Sequence, residues 1–500
     1  MTFNPTDLLA IAPEIAVLSL AILVIMIEVL ISRSEEVLQG ITAIGLLAVM
    51  AVSIFVRSTS ANVFSGMVAN DDFTMYLKVL LTGIALLAIL MSKDYLKGKN
   101  FRVGEYYTLI LLATVGMMIL ASSTDLVTMF LGIETMSIAL YALAGFRSEC
   151  SKSNEAAMKY FLLGAFSTGF LLYGIALLYG ATGGKTNFAD IGIAITAFGG
   201  DNPAPAYLYA GIGLIMVGLL FKVAAVPFHF WSPDVYQGAP TPVTAFMSAG
   251  PKAAAIIVFL RLFGWALPDM SIAWQPILGV VAAVTMVTGN IIALSQQNIK
   301  RMLAYSSISH AGYLLLAVIA AGTAGIRSDA AAGMLFYLVA YYLMNMGAFT
   351  VAILVSRARL DGDYQINNYQ GLAANHPWIA GAMALFMISL TGIPPTAGFF
   401  GKLYVFSAAV KAGFIPLVVI GVLASAISAF YYLRIVVYMY MRPETAESSK
   451  DLKPTPAWKT IMIVCSILII YLGVMPGMMM KLADSSSQKI SSPNRVVTLK

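Results

Sequence analysis

Cysteine and histidine are nearly missing from this chain. It has two cysteines, Cys150 and Cys465, and three histidines, His229, His310 and His376, in 500 residues. Two thiolates cannot hold an iron–sulfur cluster or a four-cysteine metal site, and no histidine stands at a metal-ligand spacing. Charge is also scarce: 11% of residues are Asp, Glu, Lys or Arg, where soluble domains run at about a quarter. Dinucleotide and flavin motifs are lacking. The nearest match to a phosphate loop, "GGKT" from Gly183 to Thr186, fails because Tyr179 occupies the first glycine position. The start of the chain has no basic stretch and no small-residue cleavage site, which argues against a cleaved signal peptide. An ordinary soluble enzyme and a cofactor-binding redox protein are both excluded.

What the chain has in abundance is apolar sequence. Hydrophobic residues make up 59% and the mean hydropathy is +0.84. Apolar runs long enough to cross a bilayer recur from end to end, so most of the chain is expected in lipid as helices. Fourteen spans are expected, at about 8–31, 37–56, 72–91, 106–121, 125–146, 156–180, 206–230, 241–263, 272–294, 302–322, 330–356, 379–410, 415–441 and 459–480. The longest connection, near Ala181 to Pro205, is rich in Gly and Pro and reads as a loop.

The loop cations orient the chain. With the N-terminus outside, the inner loops hold fifteen Lys and Arg: Arg33; Lys93, Lys97, Lys99 and Arg102; Arg147 and Lys152; Lys300 and Arg301; Arg357 and Arg359; Arg442, Lys450, Lys453 and Lys459. The outer loops hold four, Arg57, Lys185, Arg327 and Lys411. Lys481, Lys489, Arg495 and Lys500 follow the last span. This bias places both termini on the side away from the cytoplasm. It also accounts for the net charge of +6 without invoking a nucleic acid.

Two spans are interrupted, span seven by Pro227 and span twelve by Pro394 and Pro395 in "TGIPPTAGFFGK". Five spans separate the breaks, and an odd offset sets equivalent helices antiparallel, the pattern of an inverted repeat. The expectation is an all-α polytopic membrane protein of one domain, 1–500. Its two five-helix inverted repeats lie at about 106–263 and 272–441, with peripheral helices at 8–91 and 459–480.

Seven cations fall within spans, Lys78, Lys159, Lys222, Lys252, Arg261, Lys402 and Arg434, together with the acids Glu14, Glu28 and Glu134. A lysine at the centre of a membrane helix costs about 2.5–3.5 kcal/mol, so each needs a reason. Lys78, Arg261, Arg434, Glu14 and Glu28 are assigned to bracing or to reaching the headgroups. Glu134 and Lys252 fall near span centres, and with Lys222 and Lys402 they are the candidates for function. Lysine suits proton transfer because desolvation brings its ordinarily high pKa towards working pH, and a nearby carboxylate restores it. Arginine stays charged and cannot do this. By span direction, Lys159 and His229 lie at the inner ends of spans six and seven. Lys222 lies in the inner half of span seven, His310 in the inner third of span ten, Lys252 centrally and Lys402 in the outer half of span twelve. Together they form a ladder of ionisable groups. The proline breaks free backbone groups that water or polar side chains must meet; packing alone is the competing explanation for Pro227.

"LGIETMS", "AAMKYFLLGAFSTG", "FKVAAVPFHFWSPDVYQGAP", "IKRMLAYSSISHAGY" and "GIPPTAGFFGK" occur in that order. At these motifs, and over nearly its whole length, the chain resembles the antiporter-like membrane subunits of bacterial proton-pumping NADH–quinone oxidoreductase, respiratory complex I. "SPDVYQGAP" is similar to the N type, homologous to mitochondrial NADH dehydrogenase subunit 2; the sister M and L types tend to read "LPDA". The M type usually carries glutamate at the position of Lys402, and the L type has an extra lateral helix that this chain is too short to include. The resemblance implies proton translocation through Glu134, Lys222, Lys252 and Lys402, with Lys159, His229 and His310 as auxiliary positions of a hydrated axis. It further implies that FMN, iron–sulfur clusters, NADH and quinone are bound by other subunits. The implied partners are the M-type subunit, small membrane subunits and the lipid of the bacterial inner membrane. The alternatives are a subunit of a multi-subunit cation/proton antiporter, and a membrane spacer whose polar residues merely pack.

Overall fold

The computed structural model describes residues 5–30, 35–56, 63–97, 102–198, 203–357, 363–443, 452–488 and 490. Arg33, Arg57, Lys99, Arg359, Lys450, Lys489, Arg495 and Lys500 lie outside the described residues.

Seventeen helices carry the architecture. They are α1 (Ala12–Leu30), α2 (Glu35–Phe55), α3 (Asp72–Leu96), α4 (Val103–Ser122), α5 (Leu126–Ala144) and α6 (Ser151–Ala181). Then come α7 (Ala206–Val223), α8 (Trp231–Gly238), α9 (Thr241–Leu260), α10 (Ser271–Ser295), α11 (Ile299–Ala321) and α12 (Arg327–Arg357). The last five are α13 (Pro377–Thr391), α14 (Ala397–Lys411), α15 (Ile415–Met441), α16 (Pro456–Val474) and α17 (Pro476–Gln488). Thirteen helices of the described residues are long and apolar enough to cross a membrane. The remaining expected span, span twelve at 379–410, is divided into α13 and α14. Each has 15 residues, or roughly 22 Å, short of the ~30 Å hydrocarbon core. Span seven extends beyond the sequence-based boundary at 230: after α7 the chain makes an irregular turn and resumes as α8 up to Gly238.

The polar interior is possible because the helices are unequally buried. Every residue of α9 is buried, and α11 and α12 are nearly as enclosed, while α1, α2, α6, α15 and α16 expose wide apolar faces. Side chains on α9 and most of those on α11 and α12 face other helices, so a buried charge there finds its partners in the protein. Where helices must touch closely, small residues allow it. A methyl on Gly116 of α4 would sit 2.3 Å from the Met136 nitrogen of α5.

Local chemistry sets the ends. Asp125 accepts from Val127 and Thr128 at the start of α5, and Asn298 from Lys300 and Arg301 at the start of α11. The cations left to bracing do brace. Lys78 pairs with Glu14 at 2.8 Å, Arg261 with Asp71 at 3.2 Å, and Arg434 donates to the Leu294 and Gln296 carbonyls. Glu28 accepts from the Gly104 and Glu105 amides at the start of α4.

The two breaks share a construction. α7 ends at Ala224 in the left-handed region (φ 58°), and Ala224 and Ala225 return their amides to the Phe221 and Leu220 carbonyls. α13 ends at Gly392 (φ 89°), with Gly392 and Ile393 returning theirs to Ile388. A proline with a cis peptide bond follows three residues later in both, Pro227 and Pro395. The break prolines Pro227, Pro394 and Pro395 are exposed on the outside of the bundle.

Candidate functional site: a row of buried lysines

Lys222 stands in the last turn of α7, 4% exposed. Its ammonium donates to the Ser137 hydroxyl of α5 at 2.8 Å and lies over the Tyr141 and Phe221 rings at 5.9 and 5.8 Å. Glu134, one turn before Ser137 on the same helix, is half-buried and accepts from Thr168 of α6 at 2.8 Å. The carboxylate acts on Lys222 through space, while hydrogen bonding separates the two. The expected pair is thus adjacent without being joined, and Ser137 holds the lysine.

Lys252 of α9 donates to the Ser307 carbonyl of α11 at 2.9 Å and to the Ser307 hydroxyl, and it lies over the Tyr236 ring at 5.9 Å. One turn along α11, His310 meets the Tyr337 hydroxyl through Nδ1 and that of Tyr432 through Nε2 at 3.1 Å. Its ring is within electrostatic reach of both Lys252 and Lys402.

Lys402 lies on α14 just beyond the second break. Its three N–H groups go to the Leu390 carbonyl (3.1 Å), the Thr391 carbonyl (2.8 Å) and the Ser425 hydroxyl (2.7 Å). Two of these are orphan carbonyls at the C-terminus of α13, where the helix dipole favours a cation. The Tyr313 ring completes the site, 5.2 Å from the ammonium. Among the described residues, none of the three lysines has a carboxylate within ion-pair distance. Each charge rests instead on hydroxyls, carbonyls and aromatic faces.

Lys159 is placed differently. Its side chain is 40% exposed and forms ion pairs with Glu155 (2.7 Å) and Asp234 (2.6 Å). Asp234 also binds Arg301 at 2.7 Å, and a cavity of about 240 Å³ opens beside this cluster. His229 lies in the first break, buried, and its Nδ1 has no hydrogen-bond partner among the described residues. Lys300, counted above as a loop cation, is 2% exposed and caps the end of α8 through the Gln237 and Ala239 carbonyls. Arg147, Lys152 and Lys300 line one cavity of about 540 Å³, so these loop cations gather at one end of the bundle.

Sequence reasoning missed the neutral partners: Ser137, Ser307, Tyr236, Tyr313, Tyr432 and Ser425. Ser137, Tyr236, Ser307 and Tyr313 stood inside quoted motifs without being singled out, whereas Ser425 and Tyr432 lay outside them. Serine and tyrosine are common enough in apolar helices that their presence alone carries no signal.

Residues 123–428 match the family described as NADH:quinone oxidoreductase/Mrp antiporter, transmembrane. The chain belongs to this family. The candidate positions Glu134, Lys159, Lys222, His229, Lys252, His310 and Lys402 all lie within the matched region. A relative from Trichlorobacter lovleyi, NADH-quinone oxidoreductase subunit N, is 46% identical over 98% of both chains. Among solved structures, a chain of respiratory complex I from Thermus thermophilus is similar with a TM-score of 0.78 and 33% identity, over 94% of this chain and 99% of that one. A chain of the Mrp complex from Dietzia sp. shares the family fold at a TM-score of 0.79 and 20% identity, over 98% of each.

Proposed function

We propose that this chain is the N-type proton-translocating membrane subunit of an NADH–quinone oxidoreductase, carrying protons along Lys222, Lys252, His310 and Lys402. The observation that carries the proposal is the burial of three lysines and a histidine, with each lysine held by groups that stabilise an ammonium without a fixed counter-ion. Such a lysine changes its charge more readily than one locked to a carboxylate. NADH, FMN, the clusters and quinone belong to other subunits of the assembly, and energy reaches this chain as movement. The Lys222 ammonium is the movable charge: if it leaves Ser137 for Glu134, the ion pair holds its proton, and the return releases it towards Lys252. Lys402 passes the proton to the far side. The bonding of Lys159 favours a place at the mouth of the path, within the ion cluster of Asp234 and Arg301.

The repeats assigned above fit the shared construction of the breaks, and the gathering of basic loops supports a cytoplasmic position for that end in the bacterial inner membrane. Cys150, half-buried before α6 at the basic end, reports this directly. A membrane-impermeant maleimide labels it in inverted vesicles and spares it in right-side-out ones; the reverse pattern overturns the orientation.

The test of function uses the whole complex in vesicles. Lys222→Ala and Glu134→Ala lower the protons moved per NADH oxidised. Unchanged pumping in assembled variants sinks the proposal, and sodium-driven proton exchange without redox partners supports the antiporter alternative.

A further inference from the structure

Ser425 of α15 reaches Lys402 at the second break from a third helix. It accepts from the ammonium at 2.7 Å and gives its own hydrogen to the Thr391 carbonyl at 3.2 Å. Lys402 donates to that same carbonyl at 2.8 Å and to the Leu390 carbonyl at 3.1 Å. Lys402 Nζ, Ser425 Oγ and Thr391 O therefore close a triangle in which every side is a hydrogen bond. The other two hydrogen-bond partners of Lys402 are carbonyls, which only accept. Ser425 is the one that can also donate. The serines at the other lysines are placed differently. Ser137, which accepts from Lys222, gives its hydrogen to the Ile133 carbonyl of its own helix at 2.5 Å. Ser307 holds Lys252 by its backbone carbonyl as well as its hydroxyl. At Ser425 the hydroxyl rests on a carbonyl that the lysine also holds. That bond is the longest of the four, and breaking it strands nothing, because Lys402 stays on Thr391.

We infer that Ser425 is a positioning residue that holds Lys402 in one place in both of its charge states. The ammonium sets its three N–H groups on Leu390, Thr391 and Ser425. A neutral amine has two N–H groups and a lone pair. The two stay on the carbonyls, which have nothing to donate, so the lone pair faces Ser425. The Ser425 hydroxyl then turns about its Cβ–Oγ bond from Thr391 to the amine. The same 2.7 Å contact serves in both states, with donor and acceptor exchanged. No heavy atom has to move. The cap of α13 loses the charge and the Ser425 hydrogen, while the lysine keeps three bonds. Without the hydroxyl, the buried amine faces its lone pair to no donor and is free to leave its place.

The role of Ser425 rests on the proton-carrying role of Lys402 proposed above, and its test separates the two. The assembled complex in vesicles is compared with Ser425→Ala, with Ser425→Thr, which keeps a hydroxyl, and with Lys402→Ala. The measurement is protons moved per NADH oxidised, as a function of pH. Ser425→Ala takes an acceptor from the ammonium and a donor from the amine. A hydrogen bond to a charged group is worth more than one between neutral groups, so the ammonium loses more. The profile is therefore expected to move to the acid side by about one unit. Its maximum falls by about threefold or more, because the amine is no longer held. Ser425→Thr restores both. A merely structural role lowers the ratio alike at every pH and leaves the profile where it was. If Ser425→Ala fails to assemble, Ser425→Cys, close in size and a weak hydrogen bonder, is read in the same way. A displaced profile with an undiminished maximum reduces Ser425 to an acceptor for the ammonium and overturns the inference, as does an unmoved profile. Pumping that survives Lys402→Ala overturns the proton-carrying role beneath it.

Discussion

The two helix breaks are the same interruption repaired in two ways. Both end on a left-handed residue followed three positions later by a proline, and both leave carbonyls facing the protein interior. At the first, the indole of Trp231 donates to the Phe221 carbonyl at 3.1 Å, a neutral cap. At the second, the cap is the Lys402 ammonium itself. Lys222, before its break, is therefore free of the break's own carbonyls and reaches across to α5. Lys402, after its break, is tied to them. A neutral lysine has two N–H donors where the ammonium has three, so loss of the Lys402 proton weakens the cap of α13. Loss of the Lys222 proton leaves the first break intact. One lysine can exchange partners, whereas the other couples its charge to the shape of the helix that holds it.

Replacing the two lysines breaks this comparison most strongly. Lys402→Met strands the Leu390 carbonyl, leaves the Thr391 carbonyl to Ser425 alone, and costs about 2 kcal/mol of stability as well as pumping. Lys222→Met abolishes pumping with a stability change under about 1 kcal/mol. Thermal denaturation of the purified complex, alongside vesicle pumping, checks both; equal destabilisation removes the distinction.

Next in size are the left-handed residues. Gly392→Ala introduces a Cβ 3.1 Å from the Lys402 Cδ at φ +89°, a penalty of about 1–2 kcal/mol. Ala224→Gly relieves strain at the equivalent position and is expected to stabilise by up to about 1 kcal/mol. Opposite signs in the same melting experiment sharpen the comparison, and equal signs blunt it.

Smaller again is Trp231→Phe. The indole stacks on Tyr160 with ring centres 4.5 Å apart, and phenylalanine keeps that contact while losing the cap on Phe221, at about 1 kcal/mol. The smallest effect belongs to Ser137→Ala. The fold is unchanged, and the pH dependence of pumping shifts by less than about one unit as Lys222 loses its hydroxyl partner. A Ser137→Ala variant identical to the parent at every pH shows that Ser137 does not hold the lysine in the working complex.

Much of the architecture was legible in the sequence because lipid imposes simple rules. Apolar runs gave the span positions, and prolines marked both interruptions. The bracing roles of Lys78, Arg261 and Arg434 followed from their depth. Less legible was the second half of span seven: α8 contains Ser232, Pro233, Asp234 and Gln237, too polar to register as a membrane segment. Lys300 looked like a loop cation because its neighbour Arg301 is one, yet its side chain turns inward to cap that half-helix.

Hydropathy and loop charge, which are properties of single segments, determined by themselves that this chain is a bundle of membrane helices with costly charges inside. They also singled out the lysines, since an unexplained cation in lipid is visible one residue at a time. Which groups hold those lysines was decided only by the tertiary structure. Ser137, Ser307 and Ser425 become partners through the close crossing of separate helices, and a serine is cheap enough in a helix to leave no mark of its role. The difference between the two lysines at the breaks has the same origin: both are a cation beside a proline in the sequence, and the folded chain alone determines which carbonyls remain for each to cap.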